Sequence, residues 1–297
     1  MIKRKLELYY NAIMLPGCIF LFVFSIMPMF GLIMAFENFQ PFLGIFRSKF
    51  IGLEQFRLML LFPDARRVMT NTVIIAVGKI ILNLLVPVIF ALLLNEIKTR
   101  QLKRTIQTVV YLPYFLSWVI VAVIFSTVLS YTGMVNTALK IFGLREPIMF
   151  LVSNTYFRPI LILSDVWKNF GFNAIIYIAA ITGIDLSYYE AADIDGANRW
   201  QKVRYVTIPS IMSTIIIMAT LSLGDVLNAG FDQVFNMYNP IVYQTGDILD
   251  TYVYRVGLQN LQYSFATAVG MFKSVVSFSM IILSYKLAYK FARYKIF

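Results

Sequence analysis

Histidine is absent from the 297 residues, and cysteine occurs once, as Cys18. Without an imidazole there can be no Ser-His-Asp triad, no Cys-His pair, no HExxH zinc site and no di-iron bundle built on Glu-x-x-His. A lone thiol excludes a disulfide scaffold and is read as a buried apolar residue. Charge is scarce too: 14% of residues are charged, against about 25% in soluble domains. Apolar residues make up 59% and mean hydropathy is +0.73, so lipid rather than water is the expected main solvent. This much apolar surface excludes disorder, because burial outweighs the cost of ordering the chain. The alternating ten-residue segments of a membrane barrel are also missing, which leaves an all-α fold.

A bilayer core needs about 20 mostly apolar residues as helix. Six stretches qualify, at residues 12–36, 72–94, 108–129, 157–181, 211–227 and 267–288, and they make up a single membrane domain over residues 1–297. Pro16, Pro28, Pro87, Pro113 and Pro159 fall inside them; membrane helices tolerate proline when neighbours satisfy the freed carbonyls. The first stretch is too long for a signal peptide, lacks an Ala-x-Ala site, and is read as a retained span. The net charge of +11 is localised. Lys3, Arg4 and Lys5, then Lys98, Arg100, Lys103 and Arg104, then Arg199, Lys202 and Arg204, and finally Lys286, Lys290, Arg293 and Lys295 all fall on one side of six spans. That side, with both termini, is expected to be cytoplasmic. Arg47, Lys49, Arg66 and Arg67 dilute the contrast. The charge therefore encodes topology and attraction to anionic membrane lipid, and no nucleic-acid partner is expected.

The loop at residues 182–209 is long for a connection. Ser187 with Glu190 three residues later fits a capping box, so a helix is expected through Ala191, Ala192, Asp193 and Ile194. Asp195-Gly196 signals a turn, with Gly196 free to turn left-handed. A second short helix would hold Trp200 and Val203 on one side, and Pro209 would open span five. Two readings stand: a docking knob, or an amphipathic helix resting on the membrane surface.

Residues 190–209, EAADIDGANRWQKVRYVTIP, resemble the EAA motif of permease subunits in ABC importers, in the form found among sugar permeases. FIGLEQF at residues 50–56, DVWKNFGFN at 165–173, GFDQVFNMYNP at 230–240 and DTYVYR at 250–255 extend the likeness to the branch that handles oligosaccharides or polysaccharides. The resemblance implies a type I ABC importer permease fold with six spans and a cytoplasmic coupling helix. It further implies that Glu190, Ala191, Ala192, Asp195, Gly196, Ala197 and Trp200 engage a cytoplasmic ATPase. The implied partners are a second permease subunit, two ATPase subunits holding ATP and Mg, an extracytoplasmic solute-binding protein and a carbohydrate. The implied location is the inner membrane of a prokaryote. The chain itself is expected to bind no cofactor or metal and to be no enzyme. The nearest fragment to a phosphate loop, Gly78-Lys79, lacks the first glycine and lies inside span two.

Charge within a span is costly, about 2.5–3.5 kcal/mol per residue on insertion scales. Asp165, Lys168, Asn169 and Asn173 lie along one face of span four, with Trp167 and Phe172 beside them. This stripe must face other helices or a water-filled cavity. Amides, carboxylates and aromatic faces suit a sugar, so the stripe and Asp225 are candidate substrate-pathway residues. An Asp165–Lys168 ion pair that only joins helices is the alternative, and structural pairing rivals the role of Asp225. Lys79 and Asn83 share a face of span two and are read as packing. The outer loop at 229–265 is either a receiving rim or an ordinary packed loop. An ion-coupled carrier using Asp165 and Lys168 as a relay, a membrane-embedded enzyme using the remaining carboxylates, and an ABC permease for another solute remain the competing functions.

Overall fold

The structure, a computed structural model, describes residues 2–143 and 146–292, with side chains from 10 to 286 in that range. The expected topology signals at Lys3, Arg4, Lys5, Lys290, Arg293 and Lys295 lie outside the described side chains. The described residues cluster into two compact units, those within 1–66 and 252–273 and those within 67–251 and 274–297.

The first unit begins with α1 (Ile2–Leu21), which continues through a π-turn at Phe22–Ile26 and a 3₁₀ stretch at Phe30–Phe36. The π-turn has a local cause. Pro28 cannot donate to, and collides with, the carbonyl four residues before it, and a wider turn makes room for the ring. Cys18 is exposed on this helix rather than buried. A short antiparallel ribbon, β1 (Glu37–Asn38) with β2 (Lys49–Phe50), leads to α2 (Glu54–Leu61). Phe36 packs against Phe50 and Phe56 there. The Phe39 amide donates to Ser264 Oγ at 2.8 Å.

The second unit holds most of the spans. In order come α3 (Pro63–Asn95), α4 (Arg100–Tyr111), α5 (Trp118–Val128), α6 (Met134–Ile141), α7 (Asn154–Thr182), α8 (Leu186–Ile194), α9 (Arg199–Lys202) and α10 (Ile208–Leu223). Then follow α11 (Phe231–Met237), α12 (Tyr243–Gly246), α13 (Leu249–Tyr254) and the long α14 (Tyr263–Ala292), of which residues 252–254 and 263–273 belong to the first unit. Among the described residues, four helical runs are long and apolar enough to cross a membrane unaided: Tyr10–Phe36, Pro63–Asn95, Arg199–Leu223 and Tyr263–Lys286. Counting the bent pairs Arg100–Phe115 with Trp118–Val128 and Asn154–Thr182 with Leu186–Ile194 as one crossing each gives six.

The expected third span, residues 108–129, is not one helix. It bends by 104° after Phe115. Pro113 supplies no amide, Leu116 and Ser117 are extended, and Ser117 Oγ caps the new helix by accepting the Ile120 N–H at 3.4 Å. Lys168 Nζ donates to the Tyr114 carbonyl at 2.6 Å, satisfying an acceptor at the break. Beside it, Gly171 lets α7 lie directly on α4: a Cβ there would stand 2.4 Å from the Val110 carbonyl oxygen.

Span five also departs from expectation. Its helix already begins at Arg199 and passes through a π-turn at Val203–Thr207, again just ahead of a proline, Pro209. It ends at Leu223 rather than near 227. The segment after it is a packed one: Val234, Met237, Val242 and Ile248 join Ile75, Ala76, Phe157 and Leu161 in one buried cluster. Polar ties pin it further. Asn71, fully buried, donates to the carbonyls of Gln244 and Asp247 at 3.1 Å each, and Leu249 N–H donates to Thr72 Oγ1 at 2.8 Å. A second cluster, Ala91, Ala174, Tyr177, Ile181 and Ile211, joins α3, α7 and α10 near residue 182.

Gly171→Ala should therefore lower the melting temperature in detergent, by roughly 1–3 kcal/mol of overpacking. Gly17→Ala, with nothing within 4 Å of the added carbon, should not; equal melting temperatures for both would refute the close approach of α4 and α7.

Candidate functional site: an exposed hairpin and a polar pocket

The hairpin forms where the EAA-like stretch lies. Asp185, not Ser187, caps α8: its Oδ1 accepts the Ser187 N–H at 2.9 Å. A carboxylate at the residue before Leu186 competes successfully with the hydroxyl two positions on. This bond holds the Asp185 pKa below its ordinary value. The helix ends as the sequence suggests. Gly196 has φ +72°, its N–H reaches the Asp193 carbonyl, and the Ala197 N–H reaches that of Ala192 at 2.9 Å. This pattern of bonds is a Schellman motif. The capping box lies in the next helix instead: Asn198 Oδ1 accepts the Gln201 N–H at 2.9 Å, and Gln201 Oε1 accepts the Asn198 N–H at 2.7 Å.

Two cross-links stiffen the hairpin. Lys202 pairs with Asp193, and the Tyr189 and Thr207 hydroxyls meet at 2.9 Å. Of the seven residues singled out there, Glu190, Ala191, Asp195, Gly196 and Trp200 are exposed, while Ala192 and Ala197 are half-buried. Ile194 at 88% and Trp200 at 69% exposure leave apolar side chains on the surface of the hairpin.

The pocket lies within the bundle. It encloses about 270 Å³, and its walls include Lys79, Asn83, Asp165, Asn173, Asp225 and Asn228. Lys79 is its anchor, only 6% exposed. Its ammonium faces Asp165 Oδ1 at 3.4 Å and donates to the Ala229 carbonyl at 2.6 Å and to Gln233 Oε1. Gln233, fully buried, donates in turn to the Leu161 carbonyl at 2.7 Å and to Ser164 Oγ at 2.8 Å. Asn83 Nδ2 donates to Asp165 Oδ2 at 2.8 Å, and Asn173 Nδ2 reaches Asn83 Oδ1 at 3.5 Å. The Asp165–Lys168 ion pair is not formed. Lys168 instead lies among the aromatics of the broken span, 5.2 Å from the Tyr114 ring centre and 5.6 Å from that of Trp118. Phe172 stacks on Tyr114 at 3.8 Å. Asn169 is half-buried and is not part of the pocket wall. Of the six sequence candidates, the structure brings Asp165, Asn173 and Asp225 together. The sequence reading placed Gln233 with the residues of the outer loop at 229–265 and took Lys79 and Asn83 for packing; the charge of Lys79 in mid-span was the signal.

Residues 83–293 match the family model described as the binding-protein-dependent transport system inner membrane component. The chain belongs to that family. It is 39% identical over 292 residues to the polygalacturonan/rhamnogalacturonan transport system permease protein YteP of Bacillus subtilis (strain 168), covering 98% of this chain and 91% of that protein. It is 38% identical to protein LplB of the same organism, over 98% of this chain and 91% of LplB. Among solved structures it resembles a chain of a bacterial ABC transporter involved in the import of the acidic polysaccharide alginate, with a TM-score of 0.88 and 37% identity over 98% of this chain and 97% of that one.

In a permease, the pocket offers amide donors and acceptors and two carboxylates, one of them already engaged by Lys79. These groups hydrogen-bond hydroxyls; they do not form a nucleophile with a base. Lys79→Met should destabilise the protein by about 3–5 kcal/mol, the usual cost of breaking a buried pair, and adding Asp165→Asn should recover part of that loss in a denaturation series. Strict additivity would refute the pairing. For the hairpin, the depressed pKa fixes the sign: the Asp185 cap is fully effective above the ordinary carboxylate range and is lost as pH falls through the lowered value. Amide-exchange protection at Ser187 should therefore drop on acidification and be low throughout in Asp185→Ala; pH-independent protection in the native chain would contradict the cap.

Proposed function

We propose that this chain is one transmembrane subunit of an ATP-driven ABC importer for a carbohydrate, in particular an oligosaccharide or polysaccharide fragment. The observation that carries this is the exposed, cross-linked hairpin built into the ends of two membrane helices. α7 leads into it, and span five grows out of it without a break. The chain's similarity to saccharide permeases supports the substrate class, as do the amides and carboxylates of the pocket.

In this reading the hairpin lies in the cytoplasm and sits in a cleft of an ATPase subunit. Two such ATPases hold ATP and Mg, a second permease completes the pathway, and a solute-binding protein delivers sugar from outside. A similar solved transporter was captured with an alginate pentasaccharide-bound periplasmic protein. Closing of the ATPases moves the hairpin as a rigid body. Asn173 lies nine residues before Thr182, about 14 Å along the helix at 1.5 Å per residue. Between Thr182 and Leu186 the chain bends by 67°, so movement at the hairpin reaches the pocket wall through span five, which is helical from Arg199 to Leu223 with Ser222 in the wall, and alternates its access.

Glu190→Lys introduces a like-sized opposite charge on the contact surface, and Gly196→Pro imposes φ near −65° where +72° is needed. Both should leave the chain in the membrane yet cut sugar-stimulated ATP turnover of the reconstituted importer by tenfold or more. Wild-type turnover in both variants would overturn the proposal.

A further inference from the structure

The charges in the walls of the polar pocket do not balance. Lys79, Asp165 and Asp225 carry them, and the other polar side chains there, Asn83, Asn173, Ser222 and Asn228, are neutral. An ammonium has three hydrogens to give, and that of Lys79 is already engaged by Asp165, the Ala229 carbonyl and Gln233. Asp165 is equally committed: one oxygen faces Lys79 and the other accepts from Asn83. Lys168 is not part of the wall and donates to the Tyr114 carbonyl. Asp225 stands apart. It is exposed, the second residue after α10, and its carboxylate has no hydrogen bond or ion pair among the described residues. It also borders a second cavity of about 420 Å³ beside Ile281 and Tyr285 of α14, and no basic residue lines that one either.

Lys79 cancels Asp165, which leaves the charge of Asp225. A ligand in the pocket therefore meets one free carboxylate and no free cation. A sugar hydroxyl suits this, because it donates to the carboxylate in a charge-assisted bond. The carboxylate of a uronic acid does not: it finds no donor of opposite charge and faces a like charge, in surroundings where charges are screened less than in water. We infer that Asp225 makes this subunit select uncharged saccharides against uronides, by repelling the wrong substrate as much as by binding the right one. The selection rests on the proposed transport of carbohydrate and names the class within it. It departs from the substrates in the names of two similar proteins, the polygalacturonan/rhamnogalacturonan permease and the importer of the acidic polysaccharide alginate.

The test is uptake by the complete reconstituted importer of the trimers of galacturonate and of mannuronate, each as the free acid and as the methyl ester. The two members of a pair share one sugar backbone and differ in charge. In the native importer kcat/KM for the ester should exceed that for the acid by about tenfold or more. Asp225→Asn keeps a hydrogen-bonding group of the same size and removes the charge, and it should bring the two values together. The ratio is taken on one protein preparation with one solute-binding protein, so neither a loss of folded subunit nor the preference of the binding protein can produce the change. Acids taken up as well as their esters by the native importer, or a ratio that Asp225→Asn leaves unaltered, would overturn the selection by Asp225 and leave the transport reading intact. Uptake of none of the four probes would overturn both.

Discussion

The structure is organised around the burial of one ammonium group. Lys79 sits in the middle of a membrane helix at 6% exposure, where an unpaired charge would cost several kcal/mol. Asp165 on α7 supplies the opposite charge, and the Ala229 carbonyl and Gln233 amide supply acceptors. Satisfying Lys79 thus locks α3, α7 and the segment after span five to each other. The same demand leaves Asp165 as a wall of the pocket and draws a glutamine into the core. The pocket is a consequence of how this cation is accommodated.

The other end of these helices meets the demand of the proposed mechanism. A lever must not bend where it is gripped, and the hairpin proposed for that role has a Schellman end, a capping box, an ion pair and a hydroxyl bridge within about twenty residues. The π-turn at Val203–Thr207 keeps the helix unbroken past Pro209, so that the arm and the span are one element. A plain loop of this length would instead absorb movement in its own backbone torsions.

Much of this was legible in the residues. Hydropathy picked out stretches that fall on the four long apolar helices and the two bent pairs, and the left-handed turn at Gly196 followed from Asp-Gly alone. The break in the third span was not legible. Pro113 permits a bend but does not require one; the 104° turn also needs Ser117 as a cap and Lys168, more than fifty residues away, as a donor. Long-range pairing was equally hidden. A helix face with Asp165 and Lys168 three apart invites a local ion pair, yet the partner of Asp165 comes from another span. The aromatic segment after span five looked like a loop because it contains Gly, Asn and Pro, and only the demand of Lys79 for Gln233 shows why it folds inward.

The link between hairpin and pocket is tested most directly by a cysteine placed at Asn228 in a Cys18→Ser background of the complete importer. A membrane-impermeant thiol reagent applied from outside should label it faster when the ATPases are held in the ATP-bound state than when they are empty, and Glu190→Lys should abolish the difference. Identical labelling rates in the two nucleotide states of the native hairpin would contradict the account.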